Sequence, residues 1–407
     1  GACRDVDRAL SMDFAATKAL FHLPEGMIYL DGNSLGPLPK AAAARVAQTV
    51  TDEWGEMLIT GWNKAGWMAQ PEALADRIGR LIGAEAGHVV LGDTLSIKVY
   101  QALAAALDLN PTRRVILSDS GNFPSDLYMA EGLIGALDRG HDLRTVAPEA
   151  VMDALSDDVA VLMLTQVDYR TGRLHDMAAL TKAAHKRGIV TVWDLAHSAG
   201  AMPVDLARCH ADFAVGCTYK YLNGGPGAPA FIYVAPRHIA STRPALSGWL
   251  GHADPFAFEP SYSAGTGISR MRVGTPPVLQ MAALDAAMDI WDHVDMQALR
   301  ARALAFSEIL IAGVEAACPD LRLASPRDPA MRGSQVSFHH PQGYAIMQAL
   351  IAHGVVGDFR APDIIRFGIT PLFIDEDEIG RAIDILATIM RDGTWDQPQF
   401  RTRAAVT

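Results

Sequence analysis

Apolar positions along the chain fall into two alternating rhythms. Near-continuous apolar runs at 89–91, 114–117, 159–165, 189–193, 213–217 and 230–234 predict short strands, and the run at 159–165 suits a strand buried on both faces. Segments with helical spacing lie between them, at 74–83, 97–107, 125–137 and 177–187. Strands alternating with helices of about 10–15 residues predict βαβ units and a mainly parallel sheet. Such sheets bind ligands beyond the carboxyl ends of their strands, so chemistry is expected just after each apolar run.

The two ends of the chain read differently. Residues 1–30 predict a helical arm that ends in a short extended piece at 27–30. A turn-rich loop, Asp31-Gly32-Asn33-Ser34-Leu35-Gly36-Pro37, comes next. A helix is expected over 41–58, with Pro39 just before it. After Pro276-Pro277 the segment 279–317 is rich in Ala, Leu and Met and predicts one long helix or two joined ones. Two strand-like stretches within 321–339, a helix at 343–353, a strand at 364–369 and a helix at 375–391 complete the pattern. The expected fold is α/β. A large domain over 61–275 carries the mainly parallel sheet, a smaller α+β domain spans 276–407, and an arm and loop at 1–60 serve the small domain and the active site.

Composition narrows the function. The chain has 407 residues and a net charge of −11, against the basic footprint that non-specific nucleic-acid binding needs. The four cysteines, Cys3, Cys209, Cys217 and Cys318, form no CxxC pair and suit a reducing compartment. No uncharged apolar run reaches the length of a membrane span, and the first 13 residues lack the apolar core of a signal peptide. The expectation is a cytoplasmic protein with no membrane partner and no bound metal.

Two stretches look chemical. In the first, a buried strand runs into Asp194-Leu195-Ala196-His197. A carboxylate there is costly without a partner, so Asp194 is either a cap or the holder of a cationic ligand nitrogen. In the second, a buried strand ends at Tyr219-Lys220 and runs into the glycine-rich Gly224-Gly225-Pro226-Gly227, where backbone can approach a ligand closely. Lys220 follows Asp194 by 26 residues, enough for one βαβ step between neighbouring strands. An acid and a lysine at adjacent strand ends suit pyridoxal phosphate: the amine condenses with the aldehyde, and the carboxylate keeps the ring nitrogen protonated.

The string Tyr219-Lys220-Tyr221-Leu222-Asn223-Gly224-Gly225-Pro226-Gly227, with Asp194-Leu195-Ala196-His197 upstream, resembles the kynureninases, fold type I pyridoxal-phosphate enzymes. The loop Asp31–Gly36 and the strings Asn122-Phe123-Pro124-Ser125-Asp126 and Gly248-Trp249-Leu250-Gly251-His252 match as well, in family order. The resemblance implies a role for each matching residue. Lys220 is the lysine bound covalently to the cofactor. Asp194 pairs with the pyridine nitrogen, with His197 beside it. Phe123 stacks on the ring, and Asp126 and Thr165 make further contacts. Leu95 and Ser96, in a turn before the 97–107 helix, bind phosphate, although Ser96 also reads as a simple N-cap. Tyr219, Trp249 and Thr275 complete the phosphate site, some of them from a neighbouring subunit, which implies a homodimer. Arg366 grips the substrate carboxylate with its planar fork, whereas Arg360 reads as structural or secondary. Asn33, Ser34 and Trp62 are expected at the substrate.

The reaction implied is L-kynurenine plus water to anthranilate and L-alanine, with Lys220 moving the α-proton and Tyr219 protonating Cβ. Members that prefer 3-hydroxykynurenine carry His where Trp62 aligns and Asn where Thr275 aligns, so kynurenine itself is the expected substrate. The rival readings are a cysteine desulfurase or lyase of the same fold, which needs a reactive cysteine, and a cofactor-free binding protein. Cys318, in a helical context, reads as a small hydrophobe.

Overall fold

Seven strands form the central sheet, in the spatial order Val89–Leu91, Phe231–Val234, Phe213–Gly216, Val190–Asp194, Val159–Thr165, Val115–Asp119 and Asp142–Val146. The structure is a computed structural model that describes residues 12–405. Phe231–Val234 runs antiparallel to both its neighbours, and the other adjacent pairs are parallel. The inner strands are largely apolar because helices cover both faces, whereas the edge strand Asp142–Val146 is part-exposed. Alternate residues go to opposite cores: Leu162, Leu164 and Trp193 to one, Val161, Met163 and Val192 to the other.

Beyond residue 275 lie the helices Val278–Trp291 and Met296–Ala317, so the long apolar segment is two joined helices. Asp295 caps the second by accepting from Gln297 and Ala298 N–H. A four-stranded antiparallel sheet follows, in the order Arg322–Leu323, Gln335–His339, Ile364–Gly368, Asp358–Arg360. The early strand Ile28–Tyr29 pairs with Val355–Val356 in a separate two-stranded sheet, and Gly368 N–H donates to Leu30 O (2.7 Å), which ties the first loop to the four-stranded sheet.

Three expectations need correction. The helix over 41–58 is not uniform: Lys40–Gln48 is α-helical, Thr49–Met57 winds into wider turns, and Leu58 leaves the helix at φ 51°. Three β-branched residues, Thr49, Val50 and Thr51, weaken the α-helix there, and the two threonine hydroxyls bond back to Arg45 O and Ala47 O. The strands Asp142–Val146 and Asp358–Arg360 were not legible, because charged residues break their apolar rhythm. Of the expected arm, residues 1–11 lie outside the described residues, and Phe14–Lys18 is one short helix.

Candidate active site

Four adjacent parallel strands end on one edge of the sheet, at Asp119, Thr165, Asp194 and Gly216. Thr165 and Asp194 are direct partners in the ladder. After Asp119 the chain turns through Asn122 into the helix Pro124–Leu137, whose first residue is proline. Asn122 Nδ2 donates to Ser118 Oγ (3.1 Å), and its Oδ1 accepts from Phe123 N–H (2.7 Å) and Thr165 Oγ1 (2.6 Å). Thr165 Oγ1 also lies 3.3 Å from Asp126 Oδ2. One asparagine thus fixes the residues that precede the helix.

Asp126 and Asp194 meet carboxyl to carboxyl, both buried. Burial first, then the Asp194 charge, pushes the Asp126 carboxyl well above the ordinary range, toward its protonated form. Asp194 Oδ1 accepts from Ala196 N–H at 2.8 Å, so the cap reading holds for a turn. Neither carboxyl forms an ion pair with a side chain among the described residues.

Lys220 sits four residues past the strand Phe213–Gly216. Its loop is pinned where Gly36 N–H donates to Tyr219 O (2.9 Å) and Gly224 N–H to Thr218 O (2.8 Å). Gly36 has to be glycine, since a Cβ there would lie 2.5 Å from Lys220 O. Lys220 Nζ is 3.4 Å from His197 Nε2 and lies 5.9 Å from the Phe123 ring centroid and 5.6 Å from that of Tyr219. Burial, reinforced by the Lys220 charge, presses the His197 imidazole well below its usual range and keeps it neutral. Burial and the neighbouring Cys217 and Asp194 raise the Tyr219 phenol, which stays protonated.

Leu95 and Ser96 open the helix Leu95–Leu109 rather than a turn before it, and the N-cap is Thr94, not Ser96. Ser96 Oγ is 3.0 Å from Ser125 Oγ, so the N-termini of two helices converge. Thr275 lines a small cavity with Gly92 and Asp93, just ahead of that helix. Trp249 and Trp62 are held by other rings: Trp249 by Phe256 at 5.7 Å, Trp62 by Trp67 at 5.9 Å.

Arg366, 1% exposed, has Asp358 directly opposite it in the second sheet. Its Nε donates to Asp358 Oδ1 (2.7 Å), its Nη2 to Asp358 Oδ2 and Ser34 Oγ (2.8 Å), and its Nη1 to Tyr169 O (2.6 Å). Ser34 Oγ donates to Asp358 Oδ2 at 2.5 Å. With its amide turned, Asn33 offers its oxygen to Arg366 Nε (3.1 Å) and its nitrogen to Asp31 Oδ1 (3.2 Å). Burial pushes Asp358 upward, but the Arg366 hydrogen bonds and charge outweigh it and hold the carboxyl below its usual range. Burial and the Asp358 charge instead raise Asp31, to about 8. The Tyr169 ring meets Phe123 edge-on at 5.2 Å, which links this cluster to Lys220. Sequence reasoning missed Asp31, Tyr169 and Asp358. The i, i+2 spacing of Asp358 and Arg360 was the available signal.

Cys217 and Cys318 are buried and Cys209 is half-buried, and burial raises all three thiols. Cys3 lies outside the described residues.

The chain resembles known proteins over nearly its whole length. Residues 299–386 match the family model for the kynureninase C-terminal domain. The kynureninase of Burkholderia pseudomallei (strain 1106a) is 49% identical, covering 98% of this chain and 99% of that protein. The kynureninase of Pseudomonas fluorescens is 49% identical, covering 97% and 96%. Among solved structures, a cysteine desulfurase from Thermococcus onnurineus NA1 superposes with a TM-score of 0.80 at 17% identity, covering 94% of this chain and 99% of that one. A C-DES mutant with glycine covalently linked to its PLP cofactor superposes at 0.79 with 19% identity, covering 93% and 99%. At such identities these two establish the fold alone.

Proposed function

The chain belongs to the kynureninase family, and from that premise we propose that it is a pyridoxal-phosphate enzyme cleaving L-kynurenine with water into anthranilate and L-alanine. The observation that carries the reading is the buried Asp126–Asp194 pair, which forms no ion pair among the described residues and lies at the strand ends that also present Lys220. A protonated ring nitrogen is the partner such a pair calls for. His197 Nδ1 and Ser198 Oγ are also buried without hydrogen-bond partners. The residues therefore fit the cofactor.

When bound, pyridoxal phosphate supplies an aldehyde for amines and a cationic ring that draws electrons from the substrate α-carbon. Lys220 would hold the cofactor through its aldehyde, and its amine would move the proton at the substrate Cα. Asp194 would hold the proton on the ring nitrogen, with Asp126, whose carboxyl burial pushes upward, beside it. Phe123 would cover the ring, and Leu95, Ser96 and Thr275 would hold the phosphate, with Tyr219 and Trp249. Tyr219, kept protonated by burial, gives a proton to Cβ after water attacks the γ-carbonyl and the Cβ–Cγ bond breaks. Arg366 orients the substrate carboxylate with Ser34 and Asn33, and Trp62 lies toward the aryl end. Trp62 and Thr275 support kynurenine over 3-hydroxykynurenine, within tryptophan breakdown.

We further infer a cytoplasmic homodimer with shared active sites. Each chain is divided near residue 275 into the cofactor domain and the smaller C-terminal one. Exposed Trp54, Leu58, Ile59, Trp249, Phe256 and Phe258 supply apolar surface for the contact. The burial of Cys217 and Cys318 weighs against either serving as a desulfurase nucleophile.

The test is an absorption spectrum of the purified protein before and after L-kynurenine. A visible cofactor band, with anthranilate fluorescence growing in and lost in Lys220→Ala, is expected. A visible band without anthranilate would remove the substrate assignment. A colourless protein that pyridoxal phosphate cannot restore would remove the enzyme reading.

A further inference from the structure

We propose that Arg360 is the second guanidinium for the substrate carboxylate, because Asp358 and Ser34 occupy the face of Arg366 that would otherwise grip it in a fork. The inference rests on the reading above, in which Arg366 faces that carboxylate.

Donor arithmetic comes first. A guanidinium has five N–H groups. Four of those on Arg366 are committed: Nε and one Nη2 hydrogen to Asp358, the other Nη2 hydrogen to Ser34, and one Nη1 hydrogen to Tyr169 O. One N–H on Nη1 remains, enough for a single bond to an incoming carboxylate. A bidentate grip needs a second donor from elsewhere.

The sheet supplies it. Asp358 and Arg366 are opposite one another in an antiparallel ladder, and Arg360 is two residues along from Asp358. Residues two apart on a strand share a face, so Arg360 stands on the same face as Arg366, at the diagonal position. Its Nη2 lies 3.3 Å from Asp358 Oδ2, and its Nη1 donates to Phe359 O at 3.0 Å. Among the described residues its Nε and remaining N–H groups have no acceptor. The face looks toward the Lys220 site, since Tyr169 bonds Arg366 through its carbonyl and meets Phe123 with its ring.

Charge points the same way. Two arginines share the single ionised carboxylate of Asp358, while Asp31 retains its proton below about pH 8. Burial and the neighbouring Arg366 charge lower the Arg360 guanidinium. The cluster therefore carries one unmatched positive charge, and one carboxylate neutralises it.

Two probes test this on the holoenzyme, with Arg360→Gln and Arg360→Lys. The first compares kcat/KM for L-kynurenine and for its α-carboxamide. The second titrates L-alanine and L-alaninamide against the cofactor absorption band. In Arg360→Gln, kcat/KM for L-kynurenine should fall about 10- to 100-fold, mainly through KM, and L-alanine should bind about tenfold or more weakly. Both amides should change less than about threefold, and Arg360→Lys should recover part of the loss. Parallel losses for acid and amide would overturn the proposal, as would a KM for the acid within about twofold of wild type. If the wild-type protein releases no anthranilate, the kynurenine reading fails, and the alanine pair still decides the role of Arg360.

Discussion

Lys220 Nζ lies 3.4 Å from His197 Nε2, and that imidazole is buried and neutral. A neutral ring beside the amine adds no competing positive charge and cannot hold the lysine in an ion pair. His197→Gln should therefore leave the acid limb of the pH–rate profile where it is, with kcat lower by about tenfold through lost positioning. A shift of that limb would show that His197 itself titrates in the working range.

Lys220→Ala removes the amine that binds the cofactor and moves the α-proton. Turnover should fall by at least about 10³-fold, and the visible band should be lost. The variant should unfold near the wild-type temperature by circular dichroism, because the half-buried side chain makes no ion pair among the described residues.

The two buried carboxyls should respond unequally. Burial pushes Asp126 toward its neutral form, so Asp126→Asn should cost less than about tenfold in kcat. Asp194→Asn removes the charge that holds the ring proton and should cost about 10²-fold or more, with faster cofactor loss on dialysis. A larger loss in Asp126→Asn than in Asp194→Asn would overturn this order.

Asp31 sets a pH dependence. Its folded value is raised to about 8, first by burial and then by Asp358. A carboxyl raised on folding binds its proton more tightly in the native state, so stability declines as pH climbs from the ordinary carboxyl range to about 8. Ionised Asp31 also cancels the spare positive charge of Arg360 and Arg366. Tyr29, Tyr169 and Tyr221 face the same cluster, but all three are shifted upward and stay neutral there. KM for kynurenine should rise above about pH 8, and Asp31→Asn should flatten that rise and increase Tm at pH 8. An unchanged KM profile in Asp31→Asn would refute the assignment.

Shared active sites predict complementation. Lys220→Ala and Trp249→Ala should each be inactive alone, yet regain about a quarter of wild-type activity when unfolded and refolded together, since mixed dimers hold one intact site. Phe258→Asp, at a ring 73% exposed, should yield monomers in light scattering. No recovery on mixing would place each site within one chain.

The strands that carry Asp119, Thr165, Asp194 and Lys220 were legible because burial on both faces demands unbroken apolar runs, and each chemical residue interrupts its run at the carboxyl end. Asp358 was hidden. It lies in a three-residue strand with an arginine two positions on, and only pairing with Ile364–Gly368 turns those charges inward. The fate of the Arg366 fork was hidden for the same reason, since Asp358, Ser34 and Tyr169 come from three distant parts of the chain.

By itself the sequence determined the parallel sheet, the strand ends that bear chemistry and the residue types found there, because these follow from local rhythm and short spacing. The tertiary structure alone decided which carboxyl keeps a proton, which imidazole stays neutral and which N–H groups of Arg366 are free. Those depend on burial and on charges brought together across hundreds of residues, and neither quantity exists until the chain has folded.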